Sequence, residues 1–153
     1  MFWTRIEFNV LNLMALQYAR FGNYDEAIAI FRGLKSNTEK LYKWDSIENG
    51  KRYPAVVFNL VNTLCDLDPR PTSEIIDLCD KGHKVCVNTG PFRLLPDILF
   101  IKAYALVESG DKEAGESVLK DVYYLFKTLE AEEGMQATKD YALEKGIVSL
   151  IGL

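Results

Sequence analysis

Groups that make and break bonds are scarce in this chain. It holds one histidine, His83, and three cysteines, Cys65, Cys79 and Cys86. No G-x-S-x-G, H-E-x-x-H, Walker or dinucleotide motif occurs, so neither an enzyme nor a cofactor-binding protein is expected. Positive charge is not in excess: the formal net charge is −4 and the pI about 5.1. The basic clusters, Lys51-Arg52 and Lys81/His83/Lys84, are small and diluted by acids, which excludes a nucleic-acid footprint on these residues. No apolar run reaches membrane-spanning length, so no membrane partner is expected. The start, M-F-W-T-R-I-E-F, lacks the basic-then-apolar order of a signal peptide, because Arg5 and Glu7 interrupt it. Three cysteines without an export signal imply reduced thiols and a cytoplasmic protein.

What is present is enough apolar side chain for one domain over residues 1–153: 48% of residues are apolar and 26% charged, outside the range of disordered chains. The stretch Ala15–Phe31, A-L-Q-Y-A-R-F-G-N-Y-D-E-A-I-A-I-F, organises the rest. It reads as two amphipathic helices folded on each other at Gly22-Asn23. Leu11, Met14, Ala15 and Tyr18 make one apolar face, and Ala27, Ile28 and Phe31 another. Gly22 suits the left-handed residue that ends a helix, Asp25 and Glu26 the positive start of the next. Ala15 and Ala27 are small where the two axes cross.

The first helix is predicted over Trp3–Phe21, with no cap before it, an abrupt start that suggests the back half of something longer. The second is predicted over Tyr24–Lys43, continuing through Ser36-Asn37-Thr38 because Leu34, Leu41 and Tyr42 keep a helical spacing. Asn49-Gly50 reads as a stop within a loop over Asp45–Arg52. The third helix, Tyr53–Leu67, has Pro54 in its first turn and ends at Asp68-Pro69-Arg70-Pro71. Thr72 is the expected cap of the fourth, which carries Ile75, Ile76, Cys79, Val85 and Cys86 on one side and closes at Asn88-Thr89-Gly90. The fifth, Pro91–Ser109, buries Leu94, Leu95, Ile98, Leu99, Ala103 and Leu106 and tolerates Pro96 in its first turn. After Gly110-Asp111 the sixth runs to Leu129, with Val118, Leu119, Val122 and Leu125 inward. A last helix, Ala131–Lys145, ends at Gly146; Glu130, Glu132 and Glu133 read as favourable charge at its start. The apolar tail Ile147–Leu153 must pack on the last helices or on a second copy, hence an expected homodimer.

Gly22, Asp68 and Gly110 are equivalent turns at intervals of roughly 45 residues, longer than the ~34 of a tetratricopeptide unit. Offsets around the turns agree better than the period. Ala15, Val61 and Ala103 precede their turns by one spacing, while Ala27 and Gly115 follow theirs by another. The fold class is therefore all-α: a right-handed α-solenoid of about three tetratricopeptide-like hairpins plus a C-terminal capping helix.

With that register, Y-P-A-V-V-F-N-L-V-N-T-L, E-I-I-D-L-C-D-K-G, R-L-L-P-D-I-L-F-I-K-A-Y-A-L-V-E-S-G-D-K-E-A-G and Y-Y-L-F together resemble the C-terminal repeat domain of peptide-responsive helix-turn-helix regulators. These are the quorum-sensing transcriptional regulators grouped as RRNPP, with Rgg- and PlcR-like members. The resemblance covers nearly the whole chain and is strongest over Tyr53–Phe126. It implies a cytoplasmic sensor whose concave groove binds a short peptide and which dimerises through its repeats. In such regulators a separate N-terminal helix-turn-helix domain binds DNA; it is not among these residues, so DNA is expected only through such a domain.

A helical solenoid lines its groove with the first helix of each hairpin. That register selects Asn9, Asn12, Leu16 and Arg20; Phe58, Asn59, Asn62 and Asp66; and Asp97, Phe100, Tyr104 and Glu108. Asn59 and Asn62 are the most telling, because an amide offers donors and an acceptor together and so brackets a peptide bond whatever side chain it carries. Their plain alternative is interhelical hydrogen bonding or solvent exposure. Phe58, Phe100 and Tyr104 read either as side-chain pockets or as core. Arg20 reads either as a fork for a peptide carboxylate or as the partner of a nearby acid. A constitutive protein–protein scaffold using the same surface for a partner's segment is the alternative to the sensor. Cys79, His83 and Cys86 share one helical side, but the ends of the trio lie about 10 Å apart along the axis, too far for one ion to gather all three. Buried, reduced cysteines and no metal are expected.

Overall fold

Thr4 opens the first helix. In this computed structural model, which describes residues 4–41, 43, 46–90 and 92–152, the Thr4 hydroxyl accepts the Glu7 amide at 3.2 Å and the Glu7 carboxylate accepts the Thr4 amide at 2.6 Å. This reciprocal capping box satisfies two donors at the helix start. The helices that follow are α1 (Arg5–Arg20), α2 (Tyr24–Leu41), α3 (Ile47–Cys65), α4 (Thr72–Thr89), α5 (Leu95–Glu108), α6 (Lys112–Thr128), α7 (Glu132–Glu144) and α8 (Val148–Ile151), with a 3-10 turn at Phe92–Leu94. The described residues contain no strand. None of the helices they form is long and apolar enough to cross a membrane.

Each helix packs on the next, and α3 also touches α1 and α5. The reversals share one chemistry. After α1, the Gly22 amide donates to the Ala19 carbonyl and the Asn23 amide to that of Tyr18; the same pair of bonds recurs at Gly110-Asp111, Glu130-Ala131 and Gly146-Ile147. This is the Schellman arrangement, whose pivot is left-handed. Gly22 and Gly110 hold φ of 77° and 98° at no steric cost, whereas Glu130 holds φ 55° with a side chain. Across the tight hairpins the small residues face each other. Ala15 and Ala27 are fully buried between α1 and α2, and Ala103 and Gly115 are buried between α5 and α6.

The main core runs from Phe8 through Phe31, Leu34, Tyr53, Leu60, Ile75 and Ile98 to Phe126. A second cluster joins Ala103, Leu119, Tyr123, Ala142, Ile147 and Leu150. Ile147 and Leu150 are almost wholly buried, each contributing about 1.5–3 kcal/mol of transfer free energy. Ile147 and Leu150 thus seat α8 on α6 and α7 of their own chain, while Val148 stays exposed. One polar tie between α2 and α3 is the Tyr53 hydroxyl, which donates to Glu39 Oε1 at 3.0 Å.

Several boundaries differ from the sequence expectation. The first helix does have a cap, Thr4; Trp3 lies outside the described residues, as do Tyr42, Trp44, Asp45, Pro91 and Leu153. Met14 faces outward at 44% exposure, and Phe8 takes the inward place beside Leu11 and Ala15. Asn49-Gly50 is no stop. Ser46 caps α3 by accepting the Asn49 amide at 3.2 Å, and both residues are buried inside the helix. Gly50 is glycine because α3 passes Thr89 there so closely that a Cβ would collide with its side chain. Pro54 consequently sits inside α3 rather than in its first turn. Thr72 is the first residue of α4, preceded by Pro71 at the cap position, where no side chain caps the helix. Glu130 belongs to the turn before α7, while Glu132 and Glu133 do occupy that helix's first turn.

Candidate functional site

The helical register that selected the candidate residues also decides their exposure. None of the twelve is buried: Asn9, Leu16, Arg20, Asn62, Asp66 and Glu108 are exposed, and Asn12, Phe58, Asn59, Asp97, Phe100 and Tyr104 are intermediate. They line the odd-numbered helices, and the structure links some of them directly.

The first link is amide to amide. Asn59 Nδ2 on α3 donates to Asn12 Oδ1 on α1 at 3.0 Å. Each side chain spends one half of its amide in that bond. That bond uses neither the Asn12 NH2 group nor the Asn59 carbonyl oxygen, a donor and an acceptor of the kinds that a peptide bond's C=O and N–H require. The interhelical reading of these asparagines is therefore correct for the bond itself, and it leaves the pair half-satisfied. Asn62 stands one turn further along α3.

The second link is aromatic. Phe100 and Tyr104 on α5 both meet Tyr141 of α7, with ring centroids 5.6 Å apart in each case. The Arg70 guanidinium lies 4.8 Å from the Tyr104 centroid while its Nε donates to the Cys65 carbonyl at the end of α3. Tyr141 donates its hydroxyl to Glu108 Oε1 at 3.1 Å, and Lys145 reaches the same oxygen at 2.8 Å. The hydrogen bond from Lys145, then that from Tyr141 and the nearby charge of Arg70, hold the Glu108 carboxyl below the usual range. Burial first and the Glu108 charge second push the Tyr141 phenol well above its ordinary value, so it stays a donor. Tyr141, Arg70 and Lys145 were missed in the sequence, because the odd-helix register was not carried on into the capping helix or the proline turn.

Other candidates stand apart. Asn9 lines a cleft of about 360 Å³ with Arg5, Glu48, Lys51 and Arg52 between α1 and the start of α3. Asp97 lines a different one of about 580 Å³ with Arg93, Leu94, Phe126, Leu129 and Ala131, where burial raises its carboxyl above the usual range. Phe58 is half-buried and packs against the main core, as Phe100 does. Leu16 and Arg20 lie along the exposed length of α1. The candidates thus make two organised patches, Asn12–Asn59 and the Tyr141 cluster, with Asn9 and Asp97 in separate clefts.

The cysteines and histidine part company in space. Cys79 and Cys86 are fully inside the core, whereas His83 lines a groove between α4, α5 and α6 with Leu95, Leu99 and Tyr124. Burial pushes the thiols up to about 12 at Cys79 and about 11 at Cys86 and at half-buried Cys65. Raised thiols are poor ligands and poor nucleophiles.

No family model matches the chain, and none of the curated proteins matches it.

Proposed function

We propose that this chain is a right-handed solenoid of tetratricopeptide-like hairpins that binds an extended peptide along its odd-numbered helices, as the peptide-sensing domain of a bacterial transcriptional regulator. The observation that carries the reading is the Asn12–Asn59 pair, which bridges two successive hairpins and keeps one donor and one acceptor for a ligand backbone. Exposed Asn62 extends the amide row, and the Tyr104–Arg70 stack marks where a ligand side chain or terminal carboxylate is received. Helices packed in adjacent pairs, with α3 touching both α1 and α5, support the solenoid. The sequence resemblance to peptide-responsive regulators supports the regulatory role.

The test is selection of short peptides from a displayed random library, followed by calorimetry on the winners. Peptides that use the amide row lose about tenfold in affinity, near 1.4 kcal/mol, on Asn59→Ala or Asn12→Ala. Selected peptides that bind the wild type and both variants equally overturn the assignment, as does a library that yields no binder.

A further inference from the structure

Arg93 and Asp97 are four residues apart, a spacing at which opposite charges on one helix ordinarily pair. Here they do not. Arg93 belongs to the 3-10 turn Phe92–Leu94 and Asp97 to the first turn of α5. Among the described residues, neither makes an ion pair. Both line the cleft of about 580 Å³ whose other walls are Leu94, Phe126, Leu129 and Ala131. That size falls within the ~300–1,000 Å³ of small-molecule sites. The Phe126 wall is set by close packing, since a Cβ on Gly134 of α7 would collide with its ring. Leu129 remains 41% exposed. In two other clefts that hold both signs of charge, the charges satisfy each other: Arg32 meets Glu74 at 2.8 Å, and Lys51 meets Glu48 at 2.9 Å.

We propose that this cleft binds a free apolar amino acid, with Asp97 receiving the α-ammonium, Arg93 the α-carboxylate, and Leu94, Phe126 and Leu129 the side chain. The charges choose the ligand. A simple cation meets like charge at Arg93, and a simple anion meets it at Asp97. A wholly apolar molecule takes water from both and pairs with neither, which is costly. A zwitterion pairs with both. Asp97 has the more to gain. It lies where the helix dipole favours a carboxylate, yet burial raises its carboxyl above the usual range and no neighbouring cation offsets this. A ligand ammonium supplies that cation. The Arg93 guanidinium matches a carboxylate with two parallel hydrogen bonds. The remaining walls carry no polar side chain, so they select an apolar one. An extended peptide fits less well, because its ammonium and carboxylate stand at opposite ends. Neither Asn12 nor Asn59 lines the cleft, so the proposal does not rest on peptide binding.

Calorimetry of the full chain with L-leucine and with L-phenylalanine, at concentrations up to the order of 10 mM, tests it. The expected result is single-site binding of at least one of them. Its N-acetyl derivative lacks the ammonium and its amide lacks the carboxylate, so each binds about tenfold more weakly or worse. Asp97→Asn and Arg93→Gln lose as much, with the helical circular dichroism unchanged, since neither side chain belongs to the buried core. Asn59→Ala binds as the wild type does. Failure of both amino acids to bind overturns the proposal. So does a blocked derivative that binds as tightly as the free amino acid, or an affinity that survives either Asp97→Asn or Arg93→Gln. An equal loss in Asn59→Ala overturns it as well, by moving the ligand to the amide row.

Discussion

Gly115 of α6 lies so close to Ala103 of α5 that a Cβ on the glycine would stand 3.1 Å from the Ala103 carbonyl oxygen, and 3.2 Å from the Val107 amide nitrogen. Those neighbours are backbone and cannot rotate away, so a methyl group separates the two helices. Gly115→Ala gains about 1 kcal/mol of helix propensity and loses more to overpacking, about 1–3 kcal/mol. The expected net effect is a lower urea midpoint with an unchanged m-value. A midpoint that rises would mean that α5 and α6 pack less closely than described.

At Glu130 the sign is reversed. Its φ of 55° places a side chain in the conformation that glycine holds at the equivalent pivots Gly22, Gly110 and Gly146. The left-handed region costs a non-glycine residue about 1 kcal/mol. Glu130→Gly is expected to raise stability by up to about that amount, less the added entropy of the unfolded chain. Gly110→Ala, the reciprocal change, is expected to lower it. Equilibrium denaturation of the two variants side by side gives both signs in one experiment.

The same turns show how far the sequence could be read. Gly22 and Gly110 announced their reversals because only glycine sits there without strain, and Ala15, Ala27 and Ala103 announced the crossings because they are small. Glu130 hid a reversal of the same geometry, since tertiary packing of α6 on α7 holds it where local preference would not. Asn49-Gly50 misled in the opposite way: a pair that ordinarily breaks helices is buried in α3, because Gly50 is needed for its size beside Thr89. On α1, apolar residues lie on two faces rather than one, so periodicity alone does not tell outward Met14 from inward Phe8. Of the candidate site, exposure along the odd helices was legible from periodicity. The Asn12–Asn59 bond and the Tyr141 cluster were not, because both join helices distant in sequence.

Thiol chemistry separates the three cysteines. Moving a thiol from 9.0 to about 11 leaves about a hundredfold less thiolate near neutral pH, and exclusion of the reagent adds to that at Cys79 and Cys86. In the native protein a disulfide reagent such as dithionitrobenzoate is expected to modify Cys65 slowly and the other two only upon unfolding. Mass spectrometry of partly labelled protein identifies the site. Rapid labelling of Cys79 under native conditions would contradict its place in the core.

Glu108 gives the molecule a pH-dependent contact between α5 and α7. Its carboxyl is held below the ordinary 4.5, chiefly by the bond from Lys145, so the folded state releases this proton more readily than the unfolded chain. Stability from the contact is therefore fully present above the unfolded value and is lost as pH falls through the folded one. The pair is partly exposed, with side chains 29% and 27% accessible, and solvent screening keeps its contribution small. Glu108→Gln is expected to be slightly less stable than the wild type at pH 7, and the difference is expected to close in acid, once the folded state's lowered carboxyl is protonated. Melting curves at the two pH values decide it. A gap that persists at low pH would assign the effect to packing around the substituted side chain and not to charge, since the Gln amide oxygen accepts the Tyr141 hydrogen bond as the carboxylate does.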